Sequence, residues 1–332
     1  MKAMVLSKQT NAEGKPLKLA NIPKPKPKSG EILVDIKACG VCRTDLHIIE
    51  GELPSRKLPL VPGHQIVGTV AEVGSGAKNF KKGDRVGVTW INSTCGRCEY
   101  CRSGRENLCD NIRFTGYDVD GGYSEYVVVS QQFAYKIPEN FDDIHAAPLF
   151  CAGIVGYRAL KLSGVRPGGT LAMFGFGSSA SIVAQIAKHW GCDILAFTRG
   201  KEHQNLAKKL GAAWAGEASG TPSEKADAAI IFAPAGGLVA NALENLKKGG
   251  RIAIADIYMT PIPEIDYNKH LYQERSITSV TNYTRSDARE FLDIANDIPI
   301  KTEVQAFKLS DANKALIALK QGSLKVSAVL KV

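Results

Sequence analysis

From about residue 168 onward, short apolar runs alternate with amphipathic stretches of helical length, and this rhythm limits the fold more than any other feature of the chain. Apolar runs at Thr170–Phe174, 194–197, 228–232, 251–255 and 277–280 are spaced by helical patterns at 182–190, 202–210 and 239–246. Strands joined through helices need crossover connections, so they line up in parallel, with helices on both faces of the sheet. The first 148 residues read differently. Runs such as 31–36 and 67–73 are punctuated by Pro62-Gly63, Lys82-Gly83-Asp84 and Gly121-Gly122, the signature of a mainly β unit. The tail adds helical patterns at 288–296 and 312–321 and an apolar run, Ser327–Lys331, expected to return to the first unit. A chain of 332 residues accommodates two such domains, and it shows no internal repeat.

Composition narrows the functional classes. With 44% apolar and 23% charged residues the chain matches ordinary globular proteins, not disordered or fibrous ones. The most apolar stretch, 228–243, is interrupted by Pro234, Gly236 and Gly237, so no membrane helix and no membrane partner are expected. The opening Met1-Lys2-Ala3-Met4-Val5-Leu6 turns polar at once and lacks the apolar core of a secretory signal. A cytoplasmic location and reduced thiols follow as expectations. The 42 basic against 33 acidic residues leave a net charge of +9. Those charges are scattered except in Pro23-Lys24-Pro25-Lys26-Pro27-Lys28, which has no interleaved aromatics and reads as an extended linker. No nucleic-acid partner is expected, whereas an anionic small molecule suits the charge.

The cysteines carry the first chemical signal. Cys95, Cys98, Cys101 and Cys109 place four thiols within fifteen residues of a Gly- and Ser-containing loop. Four thiolates in a closed shell select tetrahedral zinc in a structural role, because no position remains for water. An iron–sulfur cluster or unligated thiols are the alternatives, and the spacing departs from ferredoxin runs. A second set is dispersed: Cys42 and His64 beside glycine-marked turns, and Cys151 before Ala152-Gly153. Two thiolates and an imidazole leave zinc one open position, the pattern of a catalytic site, although spacing alone leaves Cys151 equally readable as a small core residue.

A third signal is Gly175-Phe176-Gly177-Ser178-Ser179-Ala180, which follows an apolar strand and opens a helix. Such a loop offers helix N-terminal amides to a pyrophosphate, and Ala180 in place of a third glycine still allows close packing. About 20 residues on, a carboxylate would grip the ribose of NAD. Here the second strand runs into Thr198-Arg199-Gly200-Lys201 instead, which suits a 2′-phosphate and favours NADP(H) over NAD(H). The alternative is that these are ordinary solvated charges.

Together these residues give a family resemblance over essentially the whole chain. The run Cys42-Arg43-Thr44-Asp45-Leu46-His47, Gly63-His64, the four-cysteine lobe, Cys151-Ala152-Gly153 and the glycine loop occur in the order seen in zinc-dependent alcohol dehydrogenases of the medium-chain dehydrogenase/reductase superfamily. The resemblance implies a GroES-like catalytic domain built from 1–152 and 284–332, with a Rossmann domain at 153–283 and substrate in the cleft between them. It implies two zinc ions per subunit: a catalytic one on Cys42, His64 and Cys151, and a structural one on the four cysteines. Thr44 would bond the alcohol, His47 would pass the proton outward through the cofactor ribose, and Arg43 would touch the pyrophosphate. Asp45 would orient His64. Residues 171–177 would face the cofactor, and 279–282, including Ser279 and Thr281, would lie near the nicotinamide. The implied reaction is reversible hydride transfer between a primary alcohol or aldehyde and NADP(H), or alternatively NAD(H). A non-catalytic relative is a third reading, disfavoured because Thr44, His47 and all three ligands are present, as are the zinc-free quinone reductases. A homodimer or homotetramer is implied, with 277–280 as the candidate interface.

The chain departs from the family pattern at several positions. Gln65 stands where a glutamate usually follows the zinc histidine, Val155 where many relatives have threonine, and Ser327 where they often place arginine. Trp90 resembles a substrate-pocket tryptophan, or else is a core aromatic. Ile49 and Leu53 replace larger aromatics, implying a roomier pocket. His145, His189, His203 and His270 read as structural or surface residues without partners.

Overall fold

Thr170–Phe174 is buried along its whole length, as a strand covered on both faces must be. In the computed structural model, which describes every residue except Lys325, it lies inside a six-stranded sheet with Asp193–Phe197 on one side and Ala226–Ile231 on the other. Leu246–Ile254 and Ser276–Ser279 extend the sheet on the second side and Trp214–Gly216 extends it on the first, with every pairing parallel. Numbered along the chain, the strand order is 3-2-1-4-5-6, that of a dinucleotide-binding Rossmann sheet. The order reverses beside Thr170–Phe174, and a ligand is bound at such a switch point, beyond the carboxyl ends of the strands. Gly175 begins there.

This sheet belongs to a unit comprising Ala152–Tyr283 and Asp297–Lys301. The second unit comprises Met1–Cys151, Thr284–Asn296 and Thr302–Val332. Its main sheet runs Val304–Lys308, Ser327–Lys331, Glu31–Val41, Gln65–Val73, Arg85–Val88 and Ala134–Lys136, and Tyr126–Ser130 also pairs with Glu31–Val41. Ser327–Lys331 does return to the first domain, antiparallel to Glu31–Val41. Glu31–Val41 is eleven residues long and irregular in register at two places, which lets one strand serve several partners and deliver Cys42 at its end.

Several elements lie outside the sequence expectations. Helix Arg43–Glu50 occupies a stretch expected to be loop: Asp45 accepts the Cys42 amide at 2.9 Å and caps it. Helix Ala152–Ser163 was hidden by Gly153 and Gly156, poor helix formers. Gly156 is required by packing, since a Cβ there would sit 2.7 Å from Val183 Cγ2. Val304–Lys308 and Trp214–Gly216 lack the alternation or the length that announces a strand.

One buried ion pair ties the cysteine loop to the C-terminal part of its unit. Glu106, 2% exposed, accepts the Arg285 backbone N–H at 2.7 Å and Arg285 Nε at 3.0 Å, at the start of helix Arg285–Asp297. Burial pushes the Glu106 carboxyl up, but the Arg285 bonds outweigh it and hold it below the usual range. A depressed folded pKa gives stability that is present above the unfolded value and is lost as pH falls through the folded one. Glu106→Gln is therefore expected to cost about 2 kcal/mol at neutral pH. The gap between wild type and variant should shrink toward pH 3. Urea midpoints at both pH values check this, and a gap independent of pH contradicts it.

Candidate metal centre and cofactor loop

Cys42 caps helix Arg43–Glu50 at the end of strand Glu31–Val41. His64 immediately precedes strand Gln65–Val73, whose first residue pairs with Gly40, and this register brings the two ligands to the same end of the sheet. Cys151 sits between the turn Ala147–Phe150 and helix Ala152–Ser163. The three donor atoms all lie within 4.8 Å of one another. His64 is fully buried, and its Nδ1 is 3.0 Å from Asp45 Oδ1. Its Nε2 is buried with no hydrogen-bond partner among the described residues. Burial opposes a charged imidazole here, but Asp45 outweighs it and pushes the His64 pKa up to about 10. The Cys151 thiol hydrogen-bonds to Cys42, which lowers the Cys42 pKa well below its ordinary value and raises that of Cys151. Ligands of this kind release protons when they bind metal. Two sulfurs and an orphaned imidazole nitrogen fit zinc with one open position.

The surroundings order this set. Asp45, fully buried, accepts from Cys42 N and from Tyr123 Oη at 3.1 Å. Burial, then the Asp45 charge, raise the Tyr123 pKa well above normal. Thr44 Oγ1 lies 3.7 Å from Cys42 Sγ. His47, one turn further along the same helix, contacts Glu52 through Nδ1. Trp90 meets the His64 ring edge-on at 4.9 Å and stacks on Phe114 at 4.8 Å. Gln65 is buried against Gly40, where a Cβ would lie 2.9 Å from its side chain. Ile49 is fully buried in the core, while Leu53 packs at its margin. Tyr123 and Glu52 were not singled out in the sequence; Gly121-Gly122 marked the turn before Tyr123 but not its partner.

In the cysteine lobe, Cys95, Cys98, Cys101 and Cys109 also bring their sulfurs within 4.8 Å of one another. Backbone amides turn inward: Cys98 N lies 3.4 Å from Cys95 Sγ, and Cys101 N the same distance from Cys98 Sγ. The amides of Arg97 and Cys98 hold the Cys95 thiol down to about 6. Four converging sulfurs with inward N–H groups fit a closed zinc shell.

The glycine loop lies at the switch point. Gly175 has φ +91°, a left-handed conformation costly for other residues, and donates its N–H to Phe197 O at 2.8 Å. Gly177 caps helix Ser178–His189 without a side chain, and a Cβ there would meet nothing within 4 Å. First-turn amides of such a helix lack intrahelical acceptors and suit a pyrophosphate. Phe176 and Ala180 are buried, while Ser178 and Ser179 are half-buried. Residues 171–174 are core, so the expectation that all of 171–177 face a cofactor narrows to 175–177. Thr198 is buried, with its backbone tied to Gly216 and Gln204, whereas Arg199 and Lys201 are exposed. Arg43, Ser279 and Thr281 are exposed, and Val155 is half-buried. Two of the four remaining histidines do have partners, contrary to expectation. His145 Nδ1 bonds Asp142 at 2.8 Å and His270 Nε2 bonds Glu244 at 3.2 Å.

Comparisons with known proteins show the family and the fold. A family model described as the alcohol dehydrogenase GroES-like domain matches residues 28–139, and one described as zinc-binding dehydrogenase matches 180–297. The chain is 48% identical over 320 residues to a probable alcohol dehydrogenase of Mycobacterium tuberculosis, covering 95% of this chain and 92% of that relative. It is 38% identical to an alcohol dehydrogenase of Geobacillus stearothermophilus, covering 96% and 97%. Among solved structures, an NAD-dependent alcohol dehydrogenase superposes with a TM-score of 0.92 at 26% identity, covering all of both chains. A Helicobacter pylori protein solved with NADP(H) gives 0.89 at 25% identity, covering 99% and 97%.

Proposed function

This chain belongs to the zinc-dependent alcohol dehydrogenase family of the medium-chain dehydrogenase/reductase superfamily, and from that premise we propose that it interconverts primary alcohols and aldehydes with NADP(H), using one catalytic and one structural zinc. The observation that carries the proposal is the convergence of Cys42, His64 and Cys151 beside Thr44. When bound, the zinc supplies Lewis acidity at the substrate oxygen and the nicotinamide supplies the hydride acceptor or donor.

The chain's own residues do the rest. Asp45 accepts a hydrogen bond from the Nδ1–H of His64, which leaves Nε2 as the metal-binding lone pair. Thr44, at the second position of helix Arg43–Glu50, accepts a hydrogen bond from the alcohol hydroxyl and hands on its own hydroxyl proton as it takes that one. His47 follows three residues later on the same helix face and carries the proton outward, with the partly exposed Glu52 carboxylate at its Nδ1. The amides at the start of helix Ser178–His189 bind the pyrophosphate. The Arg199 guanidinium and Lys201 take the 2′-phosphate. No relative's cofactor decides this, since one similar structure is described as NAD-dependent and another was solved with NADP(H); the absence of a carboxylate in Thr198-Arg199-Gly200-Lys201 supports NADP(H). The edge strand Ser276–Ser279 offers unpaired backbone for self-association as a dimer or tetramer.

The test is initial rates of NADPH and NADH oxidation with butanal and benzaldehyde. NADPH is expected to win by at least about tenfold in kcat/KM. Arg199→Ala should lower the NADPH value by roughly 10- to 100-fold, the equivalent of one or two charge-assisted hydrogen bonds, and leave NADH nearly unchanged. Preference for NADH overturns the phosphate assignment while keeping the dehydrogenase, and no turnover with either cofactor overturns both.

A further inference from the structure

We propose that Tyr123 is a positioning residue for the catalytic metal: its hydroxyl fixes the Asp45 carboxylate and, through it, the ring of His64. This rests on the reading that Cys42, His64 and Cys151 hold zinc.

Asp45 is fully buried, and a buried carboxylate is costly unless its oxygens are well supplied with donors. Its described donors are Cys42 N at 2.9 Å, His64 Nδ1 at 3.0 Å and Tyr123 Oη at 3.1 Å. The first two belong to Cys42 and His64 themselves and move with them. Among the described residues, Tyr123 is the donor to Asp45 that comes from a segment carrying no ligand, so it is the reference against which the carboxylate is held.

That segment is locked to the turn carrying His64. Gly121 N bonds Val61 O at 2.7 Å, Gly122 N bonds Gly63 O at 2.9 Å, and Tyr123 N bonds Pro62 O at 2.9 Å. Tyr123 O in turn accepts Met4 N at 2.8 Å. The phenol ring lies across Gly63, where a Cβ would fall 2.3 Å from Tyr123 Cδ1 and where φ is +95°. Gly63 thus meets two demands, a left-handed turn and room for this ring. One tyrosine therefore braces the imidazole twice, by backbone ladder and by hydroxyl, and only the hydroxyl acts through Asp45.

Tyr123→Phe removes the hydroxyl and keeps the ring. Outer-shell losses of this kind cost 10- to 100-fold in metal affinity. In the holoenzyme, one zinc equivalent should pass to a chelator about 10- to 100-fold faster than in wild type, with the four-cysteine zinc released at its usual rate. The visible band of the cobalt-substituted catalytic site should shift. A purely packing role for Tyr123 would move neither. Asp45→Asn should also release zinc fast, and the double variant should be no faster than Asp45→Asn alone, because both changes break one path. Wild-type release from Tyr123→Phe, or effects that multiply in the double variant, overturns the proposal. A wild-type chain that binds one zinc instead of two overturns the metal reading beneath it.

Discussion

Cys42→Ser is expected to lower alcohol turnover by at least about 10³-fold, some 4 kcal/mol of barrier, and to reduce bound zinc from two ions per chain to one. Serine is nearly isosteric, and the backbone amide of residue 42 would keep its bond to Asp45, so the helix cap survives. The loss falls on the metal. A hydroxyl does not replace a thiolate as a zinc donor, and the two remaining ligands, His64 and Cys151, do not make the three-point set of a catalytic site. Lewis-acid stabilisation of developing oxygen charge, worth several kcal/mol, goes with it. Metal analysis, circular dichroism and initial rates on one preparation check the three parts of this result. Full activity in a folded variant would remove Cys42 from the chemistry and point to a metal-independent reductase on the same fold.

The fold was legible because parallel crossover architecture writes itself into sequence at long range. Five of the six strand positions in Ala152–Tyr283 follow from apolar runs spaced by helices, the three-residue Trp214–Gly216 being the exception, and Gly175 marks the switch point because only a glycine tolerates its backbone there. Cys42, His64 and Cys151 were found by family pattern, since spacing alone could not gather residues 42, 64 and 151. What brings them together is strand register, Gly40 against Gln65, which no local motif announces. Tyr123 stayed hidden for the same reason. Its role depends on a ladder between two glycine-rich turns some sixty residues apart, and in sequence those glycines read only as punctuation. Helix Arg43–Glu50 was missed because its polar first turn breaks the apolar period; that first turn carries Thr44 and Asp45, the residues proposed to act beside the metal. A local departure from pattern at a site of this kind is where function overrides propensity.

Cys101→Ser is expected to leave the active site's ligands in place and lower the thermal midpoint by at least about 10 °C, with bound zinc again falling to one. The four cysteines close a loop with little apolar surface of its own: Leu108 is 39% exposed, and the regular structure is limited to Glu99–Arg102 and Glu106–Leu108. Zinc in such a shell contributes folding free energy outright, roughly 10 kcal/mol or more in isolated zinc peptides. Here Glu106 and Arg285 hold part of the loop without metal, so only a share of that is lost. A share of about 7 kcal/mol corresponds to the expected shift, at an unfolding entropy of about 2.1 cal/mol/K per residue in a chain of 332 residues. Protease should then cut between residues 95 and 109 before it cuts elsewhere. The two cysteine variants therefore form a crossed pair: each loses one zinc, Cys42→Ser loses turnover with little change in midpoint, and Cys101→Ser loses midpoint while low-temperature turnover persists. The reverse pattern would exchange the roles of the two sites, and a fall in both properties in both variants would mean that the metals support one cooperative unit.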